Sequence, residues 1–508
     1  MWNYYYIWSQ YKENFNDFKK EWKMAIFCIK LVEACFNYFN IEQEIAGTGR
    51  PPFDLIQMVK LNVYACLNGI TSSEQISMNA EYHELYKFVS NHLKPAGRTI
   101  RKYRFEYNTV FQKITSFTLI IAYAMDLTDF EHISIDGTIM KAFNSPFYVL
   151  KMEGIDLLLK HYCEKELTKE EIKELSRPVK KFLKNKKFDD IEKIEILQML
   201  KEILKKSGQS SIALNDWTAR WMHNKQKRPQ LSFNIQTGVD TCTKLICGVN
   251  VSQSPTDHYE IPKTMEIIIE NLEGVKPVKV SADTIYRTIE NLTYLSNNNI
   301  DFLIPTRKQG KEQINRLNNN PYSIDHFTFD FEKRIIICPM KHVLKEYGPY
   351  QCEPDKFGFQ REQFAYSNPQ ACKKCPHKAE CCGNSNHRTI TRYGHELLDL
   401  AEQNMESNEN KEEYKLRSCT VEAPNGTFKI YYHINEMAII GIEKVQIIFD
   451  LITSSYNIKR LFNIFEENEV DFIEVFEFME EFAKNNGNNL PEVNLEKYYE
   501  NLNEKCST

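Results

Sequence analysis

The chain has 508 residues, of which 42% are hydrophobic and 26% charged, and its formal net charge is −5. That length exceeds a single compact core and suggests three or four units at roughly 100 to 200 residues each, with the composition of an ordinary soluble globular protein. A pI near 6.2 excludes a surface that is basic overall, so any footprint for a polyanion must be local.

Met1-Trp2-Asn3-Tyr4-Tyr5-Tyr6 leads directly into charged residues, without the basic, apolar and small-residue order of a secretory signal. The longest apolar stretch, around Phe117 to Met125, falls well short of the ~20 residues that cross a bilayer and reads as a buried helix. The expectation is a cytoplasmic, nucleoid-associated protein with no membrane partner. Of the fourteen cysteines six crowd between Cys338 and Cys382, which in that setting favours free thiols plus one metal or redox cluster.

Leu55, Val59, Val63 and Leu67 recur at every fourth position behind Pro51 and Pro52, the stripe of an amphipathic helix with its start signal. Asn68-Gly69 ends it, and Ser72 and Gln75 are spaced as a capping box for a second helix. A third starts at Arg98-Thr99-Ile100-Arg101-Lys102-Tyr103-Arg104. A short basic helix behind two packed helices is the shape that enters a major groove, which makes Arg98, Arg101, Lys102 and Arg104 candidate DNA contacts. A charged face on an ordinary three-helix bundle is the competing reading.

Ile133 to Ile135 reads as a short strand, and Phe233 to Asp240 with Leu245 to Val251 as a hairpin across Thr241-Cys242-Thr243-Lys244. Asp257 is expected to cap a helix carrying Ile261, Met265, Ile269 and Leu272. A strand at Val278 to Val280, a helix from Thr288 to Asn297 and a strand at Phe302 to Ile304 complete the order of a ribonuclease-H-like core. Asp136 and Asp283 follow strand ends, where open α/β sheets place ligands. With Glu422 they form a candidate divalent-metal site for two Mg²⁺ (or Mn²⁺) ions, because phosphodiester cleavage by paired cations needs hard oxygen ligands. Lys429 lies seven residues after Glu422, near two helical turns, so the two share a face if that stretch is helical; Tyr414 and Arg417 stand on the approach. Pro424 and Gly426 argue against a continuous helix there.

Residues 153 to 210 alternate Lys and Glu with Leu and Ile and read as a solvated helical pair, with a DNA-touching arm as the other option. Cys338-Pro339, Cys372-Lys373-Lys374-Cys375 and Cys381-Cys382 offer Cys338, Cys372, Cys375 and Cys381 as a closed tetrahedral zinc site. Cys352, His377 and His387 are substitutes, and reduced cysteines in a loop domain are the alternative. From Ala438 to Phe465 an apolar stripe makes a long helix against the core, and the acidic tail after Glu466 reads as solvated.

Taken in order, Gly49-Arg50-Pro51-Pro52-Phe53-Asp54, Leu67-Asn68-Gly69-Ile70-Thr71-Ser72-Ser73, Ile135-Asp136-Gly137-Thr138, Ala282-Asp283 with Glu290-Asn291-Leu292, Thr420-Val421-Glu422 and Gly441-Ile442-Glu443-Lys444-Val445 resemble the DDE transposases of bacterial and archaeal insertion sequences. The similarity spans about residues 47 to 465. It implies an α/β fold, namely a ribonuclease-H-like core with an α-helical N-terminal domain, a helical insertion and a Cys-rich insertion. It also implies a Mg²⁺-dependent triad of Asp136, Asp283 and Glu422 with Tyr414, Arg417 and Lys429 as helpers. The implied partners are the terminal inverted repeats, target DNA and a second copy in the DNA complex. The sequence departs from the family pattern at Thr284-Ile285, at Ala423-Pro424-Asn425, where Glu436 and Glu443 are rival acids, and in the insertion from 153 to 210. A transposase-derived DNA-binding protein without catalysis is the alternative.

The expected division is a helical, DNA-binding, helix-turn-helix-like region at 1–130 and the first part of the core at 131–305. An insertion with the Cys cluster at 306–412, core helices at 413–465 and the tail at 466–508 follow.

Overall fold

The computed structural model describes residues 15, 17–43, 51–164, 166–224, 226–306, 320–351, 353, 362–394, 396–432, 434, 436–485 and 493–507. Gly49, Arg50 and Cys352 lie outside them.

Helix α1 (Lys20–Tyr38) was not read from the sequence; it buries an apolar face running from Ala25 to Phe36. The three expected helices follow. In α2 (Leu55–Leu67) the Asp54 carboxylate caps the N-terminus by accepting from Ile56 N–H. In α3 (Ser73–Tyr82) the Gln75 N–H donates to Ser72 Oγ at 3.4 Å, half of the expected capping box. Beyond the short α4 (Glu84–Val89) comes the basic helix α5 (Gly97–Glu106), and then α6 (Thr109–Ala124), the buried apolar helix.

The central sheet begins with β1 (His132–Lys141), longer than expected. An insertion then leaves and returns through β2 (Val149–Lys151) and β3 (Ser211–Ala213), which pair antiparallel. Between them lie α7 (Met152–Cys163), α8 (Lys169–Glu174), α9 (Arg177–Leu183) and α10 (Asp190–Ser207). This corrects the expected solvated pair: Leu150, Ile155, Leu158, Phe182, Leu197 and Leu200 form a separate apolar core within it. The charges that dominate its sequence occupy the outer faces.

β4 (Arg220–His223), β5 (Pro229–Asp240) and β6 (Ile246–Ser252) are antiparallel, with the β5–β6 turn held by Asp240 Oδ2 accepting from Thr243 N–H and Oγ1. Helix α11 (Ile261–Asn271) crosses to β7 (Lys279–Ser281), and α12 (Ile289–Asn297) crosses to β8 (Asp301–Leu303). β5 is antiparallel to β1, β7 is parallel to β1, and β8 is parallel to β7, giving the order β6-β5-β1-β7-β8 with β4 on the other end of β5. That order and those directions are the ribonuclease-H-like arrangement that the strand and helix sequence implied.

β9 (Thr328–Asp330), β10 (Ile335–Ile337), β11 (Val343–Gln351), β12 (Glu362–Ser367) and β13 (Thr389–Gly394) form a separate antiparallel sheet, with α13 (Pro369–Lys374) and α14 (Lys378–Cys382) between the last two strands. The chain rejoins the main core through α15 (Glu396–Asn404), which packs on α12, β8 and β13. Helix α16 (Asn408–Ile430) then lies across β1 and β5. It runs unbroken through Pro424 and Gly426. Thr420, Val421, Pro424 and Phe428 bury one stripe of it, and this packing outweighs the poor local propensity of proline and glycine.

The long α17 (Ile442–Glu467) is the expected apolar helix and packs on α2, α6 and β6. The acidic tail is not solvated as expected: Phe472, Val475, Phe476, Phe478, Met479 and Phe482 of α18 (Phe472–Asn485) are buried, largely against α1. The four acids of this helix, Glu474, Glu477, Glu480 and Glu481, lie outside that buried face. The final helix α19 (Glu496–Ser507) places Tyr498 Oη at 2.6 Å from the Leu127 carbonyl.

Candidate active site

The parallel pairing of β1 with β7 sets Ser134 opposite Ser281, with their hydroxyl oxygens 2.8 Å apart. Asp136 lies two residues further along β1, and Asp283 two residues past the end of β7. The parallel register thus sets both acids just beyond the C-terminal end of β7, where the Asp283 charge acts on Asp136.

Asp136 is held by two side chains of α16. Arg417 Nη2 donates to its Oδ1 at 2.7 Å, and Asn425 Nδ2 donates to its Oδ2 at 3.1 Å. Burial raises the Asp136 pKa; Arg417 opposes the rise, and the negative charges of Asp283 and Asp257 add to it. Burial works against the Arg417 charge, but Asp136 and Tyr414 outweigh it and its pKa is raised. Tyr414, whose own pKa burial raises, shares a hydrogen bond with Arg417. Asp283 accepts from Ile285 N–H at 2.7 Å and so caps the short 3₁₀ turn Thr284–Tyr286.

Lys429 Nζ donates to Thr138 Oγ1 at 2.7 Å, two residues past Asp136. Glu422, about 10 Å up the helix axis from Lys429 on nearly the same face, is exposed. Lys141 pairs with the rival acid Glu436 at 2.7 Å, and Glu443 is exposed at the start of α17.

The sequence reading missed Asp257. It does not cap α11, whose N-cap position is Glu260. Its Oδ1 instead accepts from Asn234 Nδ2 and Gln236 Nε2 of β5, both at 2.6 Å, while Gln236 Oε1 accepts from the buried Tyr286 hydroxyl at 2.6 Å. Burial raises its pKa against those two hydrogen bonds, with Asp283 adding to the rise. The one sequence signal for it was an acid between a strand and a helix, which any cap residue would also give.

The carboxylates at this edge that offer hard oxygens of the kind Mg²⁺ or Mn²⁺ takes are those of Asp136, Asp283 and Asp257, while Glu422 of the expected triad is exposed on α16. Among the described residues no three His, Cys, Asp or Glu side chains are already gathered as a metal shell. Arg417 and Asn425 each occupy one oxygen of Asp136.

The expected DNA contacts on α5 divide. Arg98 is exposed at its start, Arg101 pairs with Glu74 and reaches Ser73 Oγ at 3.2 Å, and Lys102 lies 3.7 Å from Glu106. Arg104 corrects the reading. It is 4% exposed, and its guanidinium donates to Asn62 Oδ1 at 2.9 and 3.1 Å and to the Thr71 carbonyl at 2.8 Å. It ties α5 to α2 and to the turn before α3. Burial lowers its pKa to about 10.

Cys338, Cys372, Cys375 and Cys381 line one small cavity in the β9–β13 region. No described helix is long and apolar enough to cross a membrane.

Residues 337–462 match the family model described as Transposase DDE domain. The matched segment includes the four cysteines, Tyr414, Arg417, Glu422, Lys429 and most of α17; Asp136 and Asp283 precede it. Among solved structures, a cryo-EM structure of a piggyBac transposase synaptic complex with hairpin DNA aligns with 95% of this chain and 82% of that chain, at 11% identity and a TM-score of 0.30. No curated protein matches the chain.

Proposed function

We propose, from the match of residues 337–462 to the Transposase DDE domain model, that this chain is a DDE transposase that cleaves and joins DNA at the terminal inverted repeats of an insertion sequence, using the edge where Asp136 and Asp283 meet. The observation that carries this reading is the Ser134–Ser281 register, which delivers two acids remote in sequence to one place.

Asp136, Asp283 and Glu422 are the residues assigned to Mg²⁺ or Mn²⁺. When bound, paired divalent ions activate the attacking oxygen and stabilise the leaving oxygen. The protein's own part is mostly positioning and charge neutralisation. Lys429, already against β1, is suited to a backbone phosphate beside the acids. Arg417 neutralises Asp136 and keeps the two aspartates from repelling one another across the sheet edge. Tyr414 orients Arg417 through their shared hydrogen bond. Arg98, Arg101 and Lys102 present the cationic start of α5 to DNA, and a second copy of the chain holds the other end of the element.

The test is Asp136→Asn in cleavage of a labelled duplex built from the inverted repeats flanking the gene, with Mg²⁺ present. Loss of turnover with retained DNA binding is expected, and undiminished cleavage refutes the role. A second reading, a transposase-derived protein that binds DNA without cutting it, is favoured by the exposed Glu422 and by the Arg417 contact to Asp136. It predicts a gel shift on that duplex but no Mg²⁺- or Mn²⁺-dependent products from the wild-type chain.

A further inference from the structure

The Cys-rich region places five thiols around a cavity of about 30 Å³, room for roughly one water-sized sphere. They arrive from separate places: Cys338 just past β10, Cys372 within α13 and Cys375 just after it, and Cys381 and Cys382 at the end of α14. The described ones are free of disulfides.

The turn at Cys338 is shaped around its sulfur. Lys341 adopts φ +62°, its N–H donates to the Cys338 carbonyl at 2.8 Å, and the His342 N–H donates to Cys338 Sγ at 3.3 Å. On the opposite rim Cys375 N–H closes a tight turn onto the Cys372 carbonyl at 3.3 Å, which keeps both residues of the Cys-x-x-Cys pair beside the cavity. Cys338 and Cys381 both pack against the same apolar cluster around Phe329 and Tyr366. The Arg388 guanidinium also lines the cavity and sets a fixed positive charge beside the sulfurs.

The sheet itself gives the physical motive. Among the described residues its buried cluster consists of Phe327, Phe329, Ile336, Leu344, Phe364, Tyr366 and Ile390. A core that small rarely stabilises a fold alone, and small domains commonly add a structural metal.

We propose that Cys338, Cys372, Cys375 and Cys381 hold one structural Zn²⁺ that fastens β10, α13 and α14 together, with Cys382 standing beside the shell. Among the described residues no three of these side chains are gathered as a metal shell. A cysteine has one rotatable side-chain bond, and turning the sulfurs inward from the cavity rim completes the four thiolates of a closed tetrahedral site. This site has no open position for chemistry and is independent of the carboxylate edge.

The test uses the full-length chain, purified under reducing conditions and assayed for metal by mass spectrometry, followed by exchange with Co²⁺. About one zinc per chain and the visible ligand-field bands of a tetrahedral cobalt–thiolate centre are expected. Cys372→Ser and Cys381→Ser each reduce bound zinc at least tenfold, whereas Cys382→Ser retains it. Wild-type protein without zinc and without cobalt–thiolate bands overturns the site, a reading that needs no variant to fold. Full zinc in Cys372→Ser overturns it too, and loss in Cys382→Ser with retention in Cys381→Ser overturns the assigned ligand set.

Discussion

A Cβ built on Gly137 would lie 2.9 Å from Cγ of Asp257 and closer still to its Oδ1 and to Gln236 Nε2. The glycine after the first aspartate therefore makes room for a third carboxylate to lie against β1. Gly137→Ala is expected to lower stability by about 1–3 kcal/mol through overpacking. In thermal unfolding, Asp257→Ala made in the Gly137→Ala background should recover part of that loss. Additive losses would show that the two sites are uncoupled.

Arg104 and Arg98 lie on one basic helix and are expected to separate stability from DNA binding. Arg104→Ala removes three hydrogen bonds and leaves Asn62 Oδ1 buried without a donor, a loss of about 2–3 kcal/mol in denaturant unfolding. Arg98→Ala leaves the unfolding midpoint unchanged and weakens binding to a repeat duplex, with a shallower dependence on salt by about one phosphate contact. A salt slope equal to wild type would remove α5 from the DNA interface.

What the sequence disclosed and what it hid follow from the range of the forces involved. The β5–β6 hairpin, the start of β1 and β7 announce themselves through short β-branched runs and a local turn, so, although β1 runs on past Asp136 to Lys141, the order of the sheet was legible. The continuity of α16 was not, because Pro424 and Gly426 oppose it locally. Its support comes from distant contacts such as the edge-on packing of Phe428 against Phe449, 5.4 Å between ring centres. Asp257 was hidden for the same reason. Its partners Asn234 and Gln236 belong to a strand whose alignment with β1 exists only in the folded sheet. The helix α18 was hidden by its acids, although its phenylalanines already carried helical spacing.

Asp450 on α17 gives a pH dependence of definite sign. Burial raises its pKa from 3.8 to about 7, against the hydrogen bond from Gln446 Nε2 at 2.8 Å. Its folded pKa exceeds its unfolded one, so the folded state binds the proton more tightly, and the stability this contributes is lost as pH rises from about 4 through about 7. The full shift corresponds to about 4 kcal/mol. The residue is half-buried by surface area, so about 2 kcal/mol is the expected gain of Asp450→Asn at pH 8, where the wild type carries the charge. The Asn side chain keeps an oxygen for Gln446. Urea midpoints of the two proteins should converge near pH 4, and a gap that is constant with pH would refute the assignment.

Glu422 and Asp257 compete for the place of the third acid, and substitutions that remove charge while keeping shape discriminate between them. Asp257 adjoins Gly137 and interacts electrostatically with both aspartates, whereas Glu422 is exposed on a helix that must shift or re-aim its side chain to join them. If Glu422 is the ligand that the family pattern assigns, Glu422→Gln abolishes DNA cleavage at every Mn²⁺ concentration and leaves the unfolding midpoint within about 0.5 kcal/mol of wild type, as surface changes usually do. On that reading Asp257→Asn retains cleavage but requires more Mn²⁺ for half-maximal rate, because a nearby negative charge that favours cations is gone. The opposite pattern, with Asp257→Asn inactive and Glu422→Gln near wild type, would transfer the third position to Asp257. Mn²⁺ binding followed by electron paramagnetic resonance on DNA-free protein reads the same ranking without catalysis. It thereby separates a lost ligand from a misplaced substrate.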